Sequence, residues 1–407
     1  MDFTFGEDAD MVRQTAHEFV RRDLLPQEPK FLNAKDATER TAIVETATAS
    51  LKEMGLYSAG VPEALGGGGL GVVETCLIAE ELGQTIIPVE WGELTPILYE
   101  CSEAQKPSYL APVVEGSKTY AVAFDEPAPF GDPAKMATTA RDMTAAGHDR
   151  NPLGDSGSCP KASPSGYMLN GAKVLRKSKA DFYLVFATGI GPTGPIGPIC
   201  LLLDAAAPGA PISGNLLTLK DCAVPADHVL GTPGKALSLG RKWFPLTRII
   251  RAAAILGTCD RLLEVSAQYA HDWTSMGEHI SERVSIQQAL GDMAGDIEAL
   301  RWLVYHTAWL ARGLSQAISE GNSGTVPRID YPSMLVKLQA HKVLTETVNR
   351  SVRIHGGTIP PIAEWLRKAR DMTETGSAVS DRVPSRPSST DLLRLAVARE
   401  TISRLQP

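Results

Sequence analysis

The stretch that decides the fold reads Tyr167-Met168-Leu169-Asn170-Gly171-Ala172-Lys173-Val174-Leu175. Two short apolar runs flank Asn170-Gly171. That dipeptide commonly closes a two-residue hairpin, because both residues tolerate the positive φ such a turn needs. This places a β-region here. Further short apolar runs occur at 120–124, 182–187 and 199–203, and residues 117–235 hold 13 of the chain's 28 prolines. Short runs separated by turn residues predict an antiparallel sheet or small barrel. Residues 145–166 read as a mobile surface loop.

Outward from this zone the periodicity changes from two to 3.6. Residues 10–24 and 42–54 have apolar side chains at helical spacing. Four consecutive glycines at 66–69 break the pattern, and 72–82 resumes it, with Gly83 as an end signal. On the far side, Leu290, Met293, Ile297, Leu300, Val304, Thr307 and Ala311 step by three and four, and 246–270, 340–353 and 392–405 behave likewise. Several long helices in one zone imply a four-helix bundle. Residues 313–331 read as a loop, and 376–390 (GSAVSDRVPSRPSST) as a flexible polar insertion. The expected chain is mostly α with a central β-domain: 1–116 helical, 117–235 β, 236–407 helical bundle with the insertion near 376–390.

Composition excludes several classes. The 407 residues carry 40 Lys plus Arg against 47 Asp plus Glu, a net charge of −7, which argues against a nucleic-acid partner. No apolar run is long enough to span a membrane. The acidic opening MDFTFGEDAD is unlike a signal peptide and points to the cytoplasm. Six scattered cysteines, without a CxxC pair, suggest packed thiols and no metal site.

Four local patterns, taken in order, resemble the acyl-CoA dehydrogenase flavoprotein family. They are Leu51-Lys52-Glu53-Met54-Gly55-Leu56 with Val61-Pro62-Glu63 and Ala79-Glu80-Glu81-Leu82-Gly83; the 167–173 stretch with Ala180-Asp181; Arg248 followed by Ala252 to Gly257; and Arg353-Ile354-His355-Gly356-Gly357 with Glu364-Trp365-Leu366, Arg370-Asp371 and 392–400. The resemblance implies an N-terminal helical domain, a β-barrel-like middle domain and a C-terminal four-helix bundle. It implies FAD between the middle domain and the bundle, a neighbouring subunit completing that site, and an acyl-CoA thioester as substrate. It further implies a glutamate that removes the α-proton while hydride passes to the flavin, and an electron-transfer flavoprotein as acceptor. Such a base needs a near-neutral pKa, the enolate needs hydrogen bonds, and the flavin supplies the redox chemistry.

The sequence departs from the family where that chemistry sits. Counting forward from Arg370-Asp371 puts the base position at Gly376; counting back from 392–400 puts it at Pro387. An insertion of about a dozen residues accounts for the difference. Other members carry the base one residue before the position matched by Arg248, which here is Thr247. Glu374 and Asp391 are the nearest remaining carboxylates, Glu374 being the candidate base; the ordinary reading of both is a solvated side chain. In the flavin-contact segment Asp125 replaces a small hydroxyl residue and is followed by Glu126. Val174-Leu175-Arg176 replaces a Trp-Ile-Thr or Trp-Ile-Ser run, and Trp273-Thr274-Ser275-Met276-Gly277 replaces Arg-x-x-Phe-Gly. Matching positions remain at Gln287, Arg353, His355, Gly356 and Gly357 for FAD, and at Arg248 for the CoA substrate, although the residue three before Arg248 is Pro245 instead of the aspartate common in relatives. His228 reads as a structural loop histidine. These losses point first to a base-less partner chain in a heteromeric tetramer, of the type used in steroid degradation, with FAD at an interface with a homologous subunit. An active dehydrogenase with a relocated base, and a CoA-ester-binding scaffold without redox activity, are the alternatives.

Overall fold

The computed structural model describes residues 5–89, 91, 96–127, 136–143, 166–175, 179–313, 329–357, 360–373 and 389–405. The expected loops at 145–166 and 313–331 and the insertion at 376–390 fall largely outside them. The chain forms two compact units: Met1–Leu94, Phe244–Glu374 and Thr390–Pro407 make one, and Thr95–Trp243 with Thr375–Ser389 the other.

The first unit opens with helices α1 (Glu7–Phe19), α2 (Glu28–Leu32), α3 (Ala37–Glu53) and α4 (Val72–Gly83). Glu7, Asp8 and Asp10 place negative charge at the N-terminus of α1, where the helix dipole favours it. Asp36 caps α3 by accepting from the Glu39 amide at 2.9 Å, and the Glu39 carboxylate accepts from the Lys35 amide at 2.9 Å. A single turn, α5 (Ala111–Val114), belongs to the second unit. The bundle comprises α6 (Ala236–Asp272) from Phe244 onward, α7 (Val284–Leu310), α8 (Asp330–Ile354), α9 (Pro360–Thr373) and α10 (Ser389–Leu405). On α7 the apolar stripe is the buried face: Met293, Ile297, Leu300, Val304 and Thr307 are all buried.

Gly83 does not lie beyond α4, as an end signal would; it is the helix's last residue. Its smallness serves packing. A Cβ there would stand 2.2 Å from the Ala254 carbonyl oxygen, and one on Gly257 would stand 1.7 Å from that of Glu80, so α4 and α6 meet backbone to backbone. The paired glutamates beside Gly83 divide their work. Glu80, 1 % exposed, binds Arg301 and Tyr305 on α7, and Arg301 also clasps Asp260 at 2.8 and 2.9 Å. Glu81 takes His17 at 2.9 Å and Arg13 at 3.4 Å from α1.

The second unit is built on a curled seven-stranded sheet: β1 (Tyr120–Ala123), β2 (Thr139–Asp142), β3 (Gly166–Val174), β4 (Phe182–Gly191), β5 (Gly194–Asp204), β6 (Ile212–Ser213) and β7 (Leu216–Pro225). β5 runs antiparallel along all of β4, while β1 and then β2 pair parallel with its other edge. The order continues β2-β3-β7-β6. Phe182 to Ala187 are all buried, so β4 is covered on both faces and reads as one unbroken apolar run.

The hairpin expected at Asn170-Gly171 is not there. β3 passes straight through, and its register against β7 shifts between Leu169 and Gly171. The dipeptide forms a β-bulge. Gly171 has φ +143°, and a Cβ on it would stand 2.7 Å from Thr138. The Asn170 amide clasps Asp221, itself at φ 45°: Oδ1 accepts from the Asp221 amide at 3.0 Å, and Nδ2 donates to its carboxylate at 3.2 Å. A small two-stranded hairpin, β8 (Thr274–Ser275) and β9 (Glu278–His279), follows α6.

Cys76, Cys101, Cys200, Cys222 and Cys259 are free and buried, and burial pushes the thiols of Cys101 and Cys259 up to about 12. Among the described residues no helix is long and apolar enough to cross a membrane, and no cluster of three metal-ligating side chains occurs.

Candidate functional site

Pro245 lies inside α6, and Arg248 follows it on the next turn. The Arg248 guanidinium stands 5.6 Å over the Phe244 ring, and its Nη1 donates to the Ser333 hydroxyl at 3.3 Å. Ser333 passes its own proton to the Asp330 carbonyl at 2.7 Å. Burial lowers the Arg248 pKa, with the Asp330 charge opposing. Among the described residues no carboxylate lies within salt-bridge distance of this cation. A guanidinium has five N–H donors, so this one retains capacity for an anionic or carbonyl ligand. Thr247, beside it, offers a hydroxyl where some members have a carboxylate.

The other end of the bundle carries the retained glycine motif. His355 closes α8, 5 % exposed, and its Nδ1–H donates to the Ser351 carbonyl at 2.8 Å, which leaves Nε2 as an acceptor. Burial lowers its pKa, so the ring is neutral at pH 7. It lies flat on Tyr269 (centroids 4.3 Å apart, 29° between planes), and Tyr269 in turn stacks on Trp273 (5.6 Å, 12°). Gly356 (φ +70°) and Gly357 (φ +137°) come next, with nothing within 4 Å of where a Cβ would stand. Arg353 is exposed and touches its own helix, with Nε 3.4 Å from the Asn349 carbonyl. Gln287 spends its amide nitrogen on the Ser281 carbonyl at 3.1 Å. Nothing local in the sequence connects Tyr269 with His355, since the two lie 86 residues apart along the chain.

In the sheet unit the 124–127 segment leaves β1. Asp125 is half-buried, and its carbonyl accepts from the Val174 amide at 2.8 Å. Glu126 is turned inward, 3 % exposed. Its carboxylate accepts from the amides of Ala137 (2.8 Å) and Thr138 (2.9 Å) and from the Lys173 ammonium (2.9 Å). Lys173, 0 % exposed, also donates to the Phe124 carbonyl at 3.1 Å. Burial opposes ionisation of Glu126, but the Thr138 and Lys173 hydrogen bonds prevail and hold its carboxyl below the usual range. Lys173 was visible in the sequence only as part of a motif. Its inward register on β3, beside a buried strand, is the signal that a buried partner had to exist. Val174 and Leu175 are buried at 2 and 1 % exposure.

The remaining sequence candidates separate. Glu374, Gly376 and Pro387 lie outside the described residues, and Asp391 falls in the first turn of α10. His228 holds the Leu202 carbonyl at 3.0 Å and packs edge-on against Tyr109, a loop-structuring role. It also borders a cavity of about 730 Å³ together with Gln105, Tyr109, Lys118 and Asp204, which none of the flavin or CoA candidates lines.

Residues 6–117 match the acyl-CoA dehydrogenase N-terminal domain, and residues 238–373 match the acyl-CoA dehydrogenase C-terminal domain. The chain belongs to the acyl-CoA dehydrogenase family. It is 26 % identical over 398 residues to the mitochondrial short-chain specific acyl-CoA dehydrogenase of Mus musculus, covering 91 % of this chain and 87 % of that one. It is 26 % identical over 388 residues to the (R)-benzylsuccinyl-CoA dehydrogenase of Thauera aromatica, covering 88 % of each. An acyl-CoA dehydrogenase from Bacillus anthracis, solved with FAD, superimposes with a TM-score of 0.78 at 24 % identity, over 98 % of this chain and 68 % of that one.

Members of the family bind FAD. In this dehydrogenase relative the bundle residues fit such a group: the Gly356-Gly357 backbone is open, and Trp273, 55 % exposed, presents an aromatic face. The sheet residues offer less. Glu126 is consumed by its own unit, and Val174 and Leu175 are packed inside.

Proposed function

We propose that this chain is the base-less subunit of a heteromeric acyl-CoA dehydrogenase, working on an acyl-CoA thioester in the cytoplasm beside a homologous catalytic subunit. The supporting observation is Thr247 next to an Arg248 that has no carboxylate partner among the described residues. A general base must reach the α-proton within hydrogen-bond distance, and a threonine hydroxyl cannot serve as that carboxylate. The counted position at Gly376 offers no acid either. FAD, when bound, supplies the hydride acceptor.

In this reading the chain's own residues bind and orient. Arg248 holds an oxygen of the CoA ester chain with its unspent donors. Gln287, Arg353 and the His355-Gly356-Gly357 turn face a FAD held by the catalytic subunit, and the glycines admit its phosphates close to the backbone. The Asp125 segment holds no flavin of its own. Electrons leave through an electron-transfer flavoprotein docked on the complex. The division into 1–116, 117–235 and 236–407 follows the same family plan.

The test is the flavin count. The chain is purified alone and with a co-expressed homologue. The expected result is a colourless chain alone and a pair with about half a flavin per chain, bleached by acyl-CoA. A chain that holds about one FAD by itself and is bleached by acyl-CoA overturns the reading, and Glu374→Gln then asks whether Glu374 is the base.

A further inference from the structure

We propose that the cavity of about 730 Å³ in the sheet unit binds a free α-amino acid with a cationic side chain, of the lysine class. Every residue that lines it belongs to that unit, so the inference does not depend on the partner-subunit reading.

The volume is that of a small-molecule cleft, roughly 300–1,000 Å³. Three charged side chains line it: the Lys118 ammonium and the carboxylates of Asp204 and Asp227. Among the described residues none of the three forms an ion pair, with one another or elsewhere. Lys118 spends one donor on the Ser108 carbonyl at 3.2 Å and keeps the others for an anion. Asp204 accepts from the Tyr109 hydroxyl at 3.4 Å through one oxygen. Burial pushes the Tyr109 phenol up, and the negative charges of Asp204 and Asp227 push it further, so both carboxylates stand near this hydroxyl, which stays a donor. His228 is there as well. Its Nδ1–H donates to the Leu202 carbonyl at 3.0 Å, which leaves Nε2 of the neutral ring, 3.4 Å from the Tyr109 hydroxyl, as a further acceptor.

The walls are fixed in advance. Gln105, 7 % exposed, donates through Nε2 to the carbonyls of Asp227 at 2.6 Å and Val229 at 2.9 Å, and its Oε1 accepts from the Ser102 amide at 2.9 Å. The turn that carries Asp227 and His228 is thereby tied to the 102–109 segment across the cavity, which lowers the cost of ordering the site around a ligand. With two carboxylates against one ammonium, the complementary ligand has two cationic groups and one carboxylate. A diamino acid carries that set on a short aliphatic chain. Its ammonium groups take Asp204 and Asp227, and its carboxylate takes Lys118. A plain amine would leave Lys118 unanswered, and a plain carboxylate would meet two like charges.

The test is calorimetric titration of the full chain with L-lysine, with 1,5-diaminopentane, which lacks the carboxylate, and with L-norleucine, which lacks the side-chain ammonium. The expected result is saturable binding of one L-lysine per chain, weakened by salt, with each analogue weaker by about ten-fold or more. Lys118→Met should weaken L-lysine by about ten-fold and leave 1,5-diaminopentane unchanged. Asp204→Asn, which keeps an acceptor for Tyr109, and Asp227→Asn should each weaken L-lysine and 1,5-diaminopentane alike. The analogue series uses the wild-type chain alone, so it decides even where a variant fails to fold. No saturable binding of L-lysine overturns the inference. So does either analogue binding as tightly as L-lysine, and so does L-lysine binding that is unchanged in Lys118→Met or in both aspartate variants.

Discussion

Replacing Lys173 by methionine tests whether the buried ion pair organises the sheet unit. Lys173 and Glu126 are 0 and 3 % exposed, so neither charge can fall back on water. Breaking a buried pair from one side typically costs about 3–5 kcal/mol. The two sides are unequal here. Lys173→Met leaves the Glu126 carboxylate still accepting from the amides of Ala137 and Thr138, so its expected cost is near the low end, about 3 kcal/mol. Glu126→Leu strands the ammonium and also leaves those two amides without an acceptor, at about 1–3 kcal/mol each, so it lies at the upper end or beyond. The double variant has no charge left to strand, so it should cost less than the sum of the singles by at least about 1 kcal/mol. Hydrogen exchange at the amides of β2, β3 and β7 reads the local free energy without requiring the whole chain to unfold in one step. Glu126 supplies a pH check. Its folded pKa is depressed from 4.5, so its contribution is present above that value and is lost as pH falls through the folded pKa. Wild-type β3 should therefore hold its protection to lower pH than Lys173→Met. A loss below about 1 kcal/mol in Lys173→Met, or strictly additive singles, would refute the assignment.

Other consequences follow from the first unit. The Lys368 ammonium donates to the carbonyls of Gly83 and Thr85 above the Trp365 ring, and burial pushes its pKa down to about 7. The folded chain sheds that proton before the unfolded chain does, so stability rises from about pH 7 toward 10.5, by up to ~1.4 kcal/mol per pH unit. Thermal melts between pH 6.5 and 9 should show this slope in wild type and a flatter one in Lys368→Met. Gly257→Ala puts a methyl into the Glu80 carbonyl and should cost about 3 kcal/mol in urea unfolding. Gly291→Ala, exposed in the middle of α7 with open space around it, should gain about 0.5–1 kcal/mol.

The helical, β, helical order was legible because it rests on local periodicity. The α7 stripe, stepping by three and four from Met293 to Thr307, became the buried face without correction. The continuous run in β4 was likewise legible as a strand, since six apolar residues in succession, too few for a helix and set in a zone rich in Gly and Pro, suit a strand covered on both faces. The site was legible only as residue identities. His355, Gly356 and Gly357 stood out through the family motif, but Tyr269 and Trp273, which give that motif its aromatic column, carried no signal. Glu126 stands in the family's flavin-contact segment, and only the structure shows its carboxylate serving the amides of Ala137 and Thr138, just before β2, and the Lys173 ammonium.

The sequence by itself determined the helical, β, helical order and the longest helices, and that no carboxylate stands at Thr247 or Gly376. These are properties of single residues and of their spacing along the chain. The strands at 139–142 and 216–225 and the helix at 360–373 carried too little periodicity to be read. The tertiary structure alone decided that Asn170-Gly171 is a bulge instead of a turn. A tolerance for unusual φ suits either, and the choice falls to the partners, Asp221 and Thr138, that meet the dipeptide from distant strands. It likewise decided that Gly83 and Gly257 are contact points between helices, because a glycine's lack of a side chain has no meaning until another backbone arrives beside it.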